Sequence, residues 1–341
     1  PFLGEIRTQL DPGRHAFYQH SEAAFFLVWD GAEVVGRVAV LDNTRYNRYH
    51  QERTAFFYHF DAVNDPSVSR ALFDAAFEWA RRRGLKRMWG PKGFAPGDGQ
   101  GLLVEGFEHR PALGIPYNYA YYGELLENAG FEKELDFVSC YMDREISLPE
   151  RFLRVAERVK RRRGFRTVSF QSKSDLRAMI PRVAAVYNDA FVEVQGFAPI
   201  TRAEAEVFAD RILAVADPGL IKLLMKENEI VGFVLGYPDV SRALQRCRGR
   251  MWPTGWLHIL RELKRTRWLN FNGGAILEEH RGLGGNALLY AEMYHTLVDR
   301  PQYQYADLVQ VQETNFRMIQ ELQALGVEPY KRHRIYERSL G

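Results

Sequence analysis

The sequence predicts an α/β fold in two similar domains, each with a mixed, mostly antiparallel central sheet flanked by helices. Short apolar strands and apolar-striped helices follow the same order in both halves of the chain. In the second half, a glycine-rich turn joins an apolar strand directly to a helix. The chain has 341 residues, which is long for one hydrophobic core and favours two domains.

The second half has the clearer pattern of elements. Thr201 precedes an apolar stripe and Glu204 stands three residues later, which is the capping box that starts a helix. The segment 226–229 is a turn between two strands. The predicted elements are, in order, a strand over 166–170, helices over 174–191 and from 202, strands over 220–225, 230–237 and 274–277, a helix to Asp299, a strand over 303–311, a helix over 315–325 and a strand over 328–337.

The first half predicts a shorter series of the same kind. Asp30-Gly31 is a hairpin turn between two strands. Nothing before it corresponds to the first strand and two helices of the second half, so the first copy is either shortened or missing its start. The predicted elements are strands over 25–29, 34–41 and 55–60, a helix over 67–83, a strand over 85–89, a helix over 119–128 and a strand over 132–142.

These patterns predict a first domain over residues 1–145, a linker helix over 146–165 and a second domain over 166–341. Each half carries one long insertion, at 92–116 in the first half and at 239–266 in the second. The second insertion is amphipathic and rich in large apolar side chains, and we expect it to pack against the protein.

The glycine-rich turn, Arg281-Gly-Leu-Gly-Gly285, carries the strongest functional signal. Glycines allow a ligand to approach the backbone closely, and the following helix adds unpaired N–H groups and the positive end of its dipole. Such a turn can hold a pyrophosphate. At the corresponding place in the first half, Asp61 and Asp65 would repel one, so only the second domain is predicted to bind it.

The turn resembles the acyl-CoA-binding motif of the GNAT (GCN5-related N-acetyltransferase) superfamily, in which Arg or Gln is followed by two residues, Gly, any residue, and Gly or Ala. Arg281 and Gly284 fit the motif, whereas Asn286 stands where a small residue is usual. The whole chain is similar to a group of uncharacterised bacterial tandem-GNAT proteins. The segments that carry this similarity are Gly90–Phe94, Gly101–Phe107, Pro116–Asn118 and Tyr121-Tyr122.

The resemblance implies two GNAT-like domains, of which the first is degenerate and the second binds acetyl-CoA or another acyl-CoA as cosubstrate. Strand residues would pair with the pantetheine arm, the glycine turn would hold the pyrophosphate, and Asn315 matches an Asn that is frequent in the superfamily. The cofactor-binding residues implied in this way are Ala275, Ile276, Leu277, Arg281, Gly282, Leu283, Gly284, Gly285, Asn286 and Asn315.

The catalytic residues are less well marked than the cofactor site. Many GNAT enzymes protonate the leaving thiolate with a Tyr seven residues after that Asn, and here the position is Leu322. Tyr294, Tyr303 and Tyr336 are substitutes for this acid, with Tyr294 as the candidate we retain. Glu313, at the end of the strand before Asn315, is the candidate general base.

We therefore expect an N-acyltransferase that transfers the acyl group to a primary amine of a small molecule or peptide by direct attack. Two alternatives remain open: a non-catalytic acyl-CoA sensor or structural protein, and an aminoacyl transferase of the Fem type. A net charge of only +3 argues against nucleic acid as a partner. The spacing of the histidines and the two cysteines suggests no metal site. No apolar run could cross a bilayer, so we expect a cytoplasmic protein with no membrane partner.

Overall fold

The computed structural model describes residues 2–95, 97–145 and 148–341. The chain divides into an N-terminal unit, comprising Gly4–Val138, Gln312–Thr314 and Tyr330–Gly341, and a C-terminal unit, mainly Ser139–Val311 and Asn315–Pro329. These units differ from the domain boundaries expected from sequence, because the end of the chain from Tyr330 lies in the N-terminal unit.

The chain up to the start of the second copy forms four helices and six strands. Their bounds are α1 (Leu3–Gln9), β1 (Glu22–Asp30), β2 (Glu33–Asp42), α2 (Thr44–His50), β3 (Thr54–Ala62), α3 (Pro66–Arg82), β4 (Arg87–Gly90), β5 (Leu102–Glu105), α4 (Tyr122–Asn128) and β6 (Glu132–Asp143) among the described residues. The helices α1 and α2 and the strand β5 have no counterpart in the sequence prediction.

The rest of the chain forms the elements expected from its apolar pattern and two further helices in the insertion. Their bounds are α5 (Glu150–Arg162), β7 (Phe165–Ser169), α6 (Lys173–Ala190), α7 (Arg202–Val215), β8 (Ile221–Lys226), β9 (Glu229–Pro238), α8 (Ser241–Arg246), α9 (Gly255–Arg265), β10 (Trp268–Ile276), α10 (Gly285–Val298), β11 (Tyr305–Gln312), α11 (Phe316–Ala324) and β12 (Glu328–Ser339). The linker helix corresponds to α5, and its predicted first residues, Ile146 and Ser147, lie outside the described residues.

In the N-terminal unit the strand order is β1-β2-β3-β4-β12-β6, and β5 also pairs with β12. The pair β3–β4 is parallel, whereas β1–β2, β2–β3 and β4–β12 are antiparallel. Helix α3 starts at the N-cap Asp65, whose side chain accepts from the N–H of Ser67. Its buried face packs with an aromatic core that includes Phe57, Phe73 and Phe131.

In the C-terminal unit the order is β6-β11-β10-β9-β8-β7, where β6 contributes its residues from Ser139 onward. The pair β10–β11 is parallel, and β7–β8, β8–β9 and β9–β10 are antiparallel. The predicted capping box is present, since Thr201 and Glu204 exchange side chain to backbone hydrogen bonds. The mixed, mostly antiparallel sheet flanked by helices confirms the predicted fold class.

The sheet of the C-terminal unit is covered on both faces. Helices α6 and α7 lie over a cluster that contains Phe233 and Ile221. Helices α5 and α10 lie over a cluster on the other face that contains Val231 and Leu224. Each face is therefore apolar, which is the condition for a sheet between two helix layers. No described helix is both long enough and apolar enough to traverse a bilayer.

Candidate functional site

The strands β10 and β11 separate halfway along their length. They pair only over Trp268–Phe271 and Tyr305–Leu308, although β10 continues to Ile276. At the same point β10 has a bulge against β9, between Phe271 and Gly274. A bulge bends a strand and increases its twist, so β10 turns away from β11 and keeps β9 as its partner. The result is an open strand edge facing the gap.

The register of β9 and β10 fixes which backbone groups face this gap. The N–H of Leu277 donates to the carbonyl of Val231 at 2.9 Å. Backbone groups alternate in direction along an antiparallel ladder, so Ala275 and Leu277 point to β9 while Gly274 and Ile276 point to the open edge. The sequence analysis expected the backbone of Ala275, Ile276 and Leu277 to pair with the pantetheine arm. Of these three residues only Ile276 faces the open edge, and Gly274 faces it too.

The glycine turn ends where helix α10 begins. Gly282 and Gly284 have φ angles of 73° and 88°, a region that favours glycine. Gly284 is the N-cap of α10 and its helix start has no side-chain cap. In the described part of the chain, the N–H groups of residues 282–286 donate to no protein acceptor. Free amides at a helix start attract an anion, so these residues fit a pyrophosphate.

Two glycines of the turn are also required by packing. A Cβ atom at Gly284 would lie 2.7 Å from Val159 Cγ2, and one at Gly285 would lie 2.5 Å from Leu224 Cδ2. Helix α10 therefore starts in close contact with α5 and with the sheet. This contact places the amide cluster at the end of β10, beside the open edge.

The side chain of Arg281 stabilises the glycine turn through three contacts with the protein. Its Nε donates to the carbonyl of Ile276 at 3.1 Å, and its Nη2 donates to the carbonyl of Ala190 at 2.8 Å. Its Nη1 pairs with Glu193 at 2.5 Å. The guanidinium thus ties β10, the end of α6 and the following loop together. The backbone amides of the turn, rather than this charge, are left to contact a ligand.

The other residues expected at the cofactor site have mixed positions. Asn286 is half-buried in the first turn of α10, and Leu283 packs against the cluster under α5. Asn315 is the N-cap of α11, and its Oδ1 accepts from the N–H of Met318 at 3.1 Å. Its role in the structure is therefore to start the helix that follows β11.

Neither predicted acid–base residue stands free beside the gap. Tyr294 lies nine residues into α10, about 13 Å along the helix from its start. Glu313 lies in the N-terminal unit, where its oxygens accept from the N–H of Asp136 at 3.0 Å and from Lys133 Nζ at 3.0 and 3.1 Å. These contacts give Glu313 a structural role.

Asp136 is the centre of that ion cluster. It is only 1% exposed, and Arg334 Nε donates to it at 2.9 Å. Burial alone would raise the pKa of Asp136, but the hydrogen bonds from Arg334 and Lys133 outweigh burial and hold that pKa below its usual value. The cluster is a charged network that stabilises the ends of β6 and β12.

Tyr290 is a polar residue between α10 and α11 that the sequence analysis did not identify. It stands five residues into α10, and its hydroxyl lies 3.4 Å from Glu321 of α11. Burial, reinforced by the charge of Glu321, raises the pKa of Tyr290, so the phenol keeps its proton at neutral pH. Leu322, at the usual position of the acid, is buried. No spacing rule links Tyr290 to this place, because the placement depends on the packing of α10 against α11.

Buried polar side chains lie on the sheet face opposite α10. Asn272, in the bulge, donates to the hydroxyl of Tyr237 at 3.3 Å, and Asn270 donates to Asp239 at 3.0 Å. Burial raises the pKa of Tyr237 to about 12, with a partly opposing contribution from Asn272. A group of hydrogen-bonding side chains therefore lies directly where β10 begins to leave β11.

An apolar cavity of about 100 Å³ lies on this same face, under α6 and α7. Phe233 and Leu235 of β9 line it, and Tyr237 is the next residue of β9 on that face, roughly 7 Å further along the strand. The cavity is also lined by Met179, Ile180, Val183, Ala205, Phe208, Ala209 and Ile212. An apolar pocket and a polar group are thus neighbours along one strand.

The comparisons with known proteins support this description of the fold. No protein-family model matches the chain. The tandem GNAT protein from the clavulanic acid biosynthesis pathway superposes with a TM-score of 0.53, at 14% identity, over 94% of this chain and 84% of that one. The fold is therefore that of tandem GNAT proteins. The resemblance to the GNAT superfamily noted in the sequence analysis is confirmed at the level of the fold.

Two curated proteins are similar to the chain in sequence. Protein YghO of Escherichia coli strain K12 is 26% identical over 314 residues, which cover 90% of this chain and 80% of that protein. The bacterial ceramide synthase of Caulobacter vibrioides is 28% identical over 351 residues, covering 100% of this chain and 90% of that protein.

Proposed function

We propose that the chain is an acyl-CoA-dependent N-acyltransferase whose C-terminal unit holds the acyl-CoA, either acetyl-CoA or a longer homologue. The observation that carries the proposal is that the free amides of residues 282–286 and the open edge of β10 lie at the same end of one strand. A pyrophosphate on the turn leaves the pantetheine arm beside Gly274 and Ile276. The tandem GNAT fold supports the same assignment.

The chain's own groups account for most of the proposed catalysis. The N–H groups on the open edge, at Gly274 and Ile276, are fixed by the β9–β10 ladder and can polarise a thioester carbonyl without reorganising. A neutral primary amine then attacks the carbonyl carbon, the C–N bond forms, and the C–S bond breaks. The attacking nitrogen loses one proton as the amide forms, and the departing thiolate, whose conjugate acid has a pKa of about 8.5, leaves readily and takes up one proton, so the transfer balances without a protein acid.

The acceptor we propose is an amine that carries a long apolar chain. The polar group at Tyr237, Asn272 and Asp239 suits a polar head, and the cavity beyond Leu235 suits an apolar tail. A similar protein, at 28% identity, bears the name bacterial ceramide synthase. A ceramide is the amide of a fatty acid and a long-chain amino alcohol, which matches this arrangement of polar and apolar surfaces. A peptide acceptor fits this apolar cavity less well.

Release of free thiol from acyl-CoA tests this function. Acetyl-, octanoyl- and palmitoyl-CoA are each combined with ethanolamine, a long-chain amino alcohol and a lysine peptide, and the amide product is identified by mass spectrometry. We expect release that depends on the amine and is fastest with the long-chain amino alcohol. Release at the same rate with and without any amine would contradict the proposal.

A second candidate function is a non-catalytic acyl-CoA sensor, and Leu322 favours it because it replaces the usual acid. A sensor would bind acyl-CoA without amine-dependent release of thiol. The same assay also separates an aminoacyl transferase, which would form product from charged tRNA and not from acyl-CoA.

A further inference from the structure

The insertion between β9 and β10 is strongly basic. Residues 241–267, here called the basic insertion, contain eight Arg or Lys and one acidic residue, Glu262, for a net charge of +7. The whole chain has a net charge of +3, so the remaining residues sum to −4. All eight cations are exposed, whereas Glu262 is buried. They are Arg242, Arg246, Arg248, Arg250, Arg261, Lys264, Arg265 and Arg267.

The same insertion exposes five large apolar side chains within ten residues. Trp252 is 82% exposed, Leu260 50% and Trp256 42%, and Met251 and Leu257 are nearly as accessible. This differs from the packing role expected from the sequence. Side chains of this kind in water normally have a partner surface.

Helix α9 separates its two faces cleanly. Gly255, Ile259 and Glu262 form the buried face. At 100° per residue, Leu257, Leu260 and Lys264 lie on the opposite side, and Trp256 lies at the edge of this outer face. The outer face of α9 is thus an apolar stripe beside cations, and the helix is already folded and anchored by its inner face.

We propose that the basic insertion docks the protein on the surface of an anionic membrane. Tryptophan rings favour the interface between headgroups and acyl chains, and neighbouring Arg and Lys side chains are drawn to anionic lipid headgroups. An amphipathic helix with these two features lies in the plane of the interface and needs no membrane-spanning segment. The sequence analysis expected no membrane partner because no apolar run could cross a bilayer. A helix that lies in the interface needs no such run, so that reasoning does not exclude this docking.

The composition of the surface favours lipid over other partners. Nucleic acid would use the cations and can stack a base on Trp256, but it would leave Met251, Leu257 and Leu260 in water. A second copy of the chain would bring eight like charges against eight, which is unfavourable in a symmetric contact. An anionic bilayer satisfies the apolar stripe and the cations together. This inference does not depend on the proposed transfer reaction.

Vesicle flotation tests the docking. The full chain is mixed with phosphatidylcholine vesicles that contain or lack phosphatidylglycerol, at low and high salt. We expect binding only with phosphatidylglycerol, weakened by salt because surface charges are screened. In the variant R261Q/K264Q/R265Q, a loss of about fivefold per cation gives a drop of roughly a hundredfold in partition coefficient. The variant W256S/L260S should also lose binding, because it removes the apolar stripe.

The matched control is R48Q/R53Q/R70Q, which removes three exposed arginines of the N-terminal unit. It should bind vesicles like the wild-type chain. Thermal unfolding of each variant checks that the fold is intact. The proposal is overturned if R261Q/K264Q/R265Q and the control bind the anionic vesicles equally. It is also overturned if the chain binds an RNA oligomer but not the anionic vesicles, or if W256S/L260S changes only self-association measured by sedimentation.

Discussion

The N–H of Leu277 donates to the carbonyl oxygen of Val231 at 2.9 Å, and this bond sets the direction of every backbone group at the end of β10. Because the ladder alternates, Ala275 is bonded to β9, while Gly274 and Ile276 face the gap left by β11. The candidate site is built on this register.

Proline substitutions at neighbouring positions check the register. Ala275→Pro removes a ladder N–H and leaves its carbonyl partner on β9 unpaired, which should cost about 1 to 3 kcal/mol of the free energy of unfolding. Gly274→Pro removes an N–H on the open edge and should be tolerated much better. Chemical denaturation measures both. A larger loss for Gly274→Pro than for Ala275→Pro would show that the register is different.

Substitution of Glu313 separates a structural role from a catalytic one. Loss of a general base lowers turnover about a hundredfold to ten-thousandfold. We expect Glu313→Gln to leave amine-dependent thiol release within a few fold of wild type, because its contacts are to Lys133 and Asp136. If folded Glu313→Gln instead loses a hundredfold or more in kcat, Glu313 is the general base.

Asp136→Asn is the companion to that experiment. It removes a buried carboxylate that Arg334 and Lys133 contact, and the expected cost is about 3 to 5 kcal/mol in the free energy of unfolding. Denaturant titration should therefore give a much lower free energy of unfolding for Asp136→Asn than for Glu313→Gln.

The sequence predicted those parts of the fold that depend on local interactions. The capping box of Thr201 and Glu204 and the glycine turn before α10 are both local, and both are present in the structure. The start of β10 was placed six residues too late: Leu269–Asn272 alternates apolar and polar residues as a strand does, but its polar residues are Asn, which is depleted in strands. The role of Glu313 depends on Lys133, which is 180 residues away, and no spacing rule reveals such a contact.

The strand β12 gives a second example of what local patterns cannot show. The sequence analysis predicted a strand here, but its partners β4 and β5 lie more than two hundred residues earlier. Strand pairing over that separation is set by the tertiary fold. The acceptor side of the site depends on the same kind of contact, since Tyr237 and Asn272 meet only when β9 and β10 are paired.

The apolar cavity makes a prediction about acceptor length. Ala205 lines the cavity, and Ala205→Phe fills it, so kcat/KM for a long-chain amino alcohol should fall at least about tenfold. Activity with ethanolamine should change little. Ala214→Phe, on the exposed side of the same helix, is the control. Equal losses of kcat/KM with the long and the short amine would show that the cavity is not part of the acceptor site.

Burial of His333 predicts acid sensitivity. Burial is the main cause that lowers its pKa to about 4, and its Nε2 lies 3.0 Å from the carbonyl of Pro116. The unfolded chain binds the proton first, at its ordinary pKa of about 6.5, so stability is complete above that pH and falls as the pH drops toward 4.

The difference in the free energy of unfolding between wild type and His333→Gln should therefore shrink by about 3 kcal/mol between pH 7 and pH 4. Denaturant titrations at the two pH values measure it, with the exposed His295→Gln as control. A difference that does not change with pH would show that His333 is not kept neutral by the fold.

Isothermal titration of the intact chain with coenzyme A tests the central claim most directly. We predict one site per chain, and weaker binding in Asn286→Asp by at least about fivefold, because one added charge near the pyrophosphate opposes it by roughly 1 kcal/mol or more. The new carboxylate lies at a helix N-terminus and should not destabilise the fold, and Asn286→Ala should bind nearly as wild type. Failure of the wild-type chain to bind coenzyme A, or equal affinity in Asn286→Asp, would contradict the account.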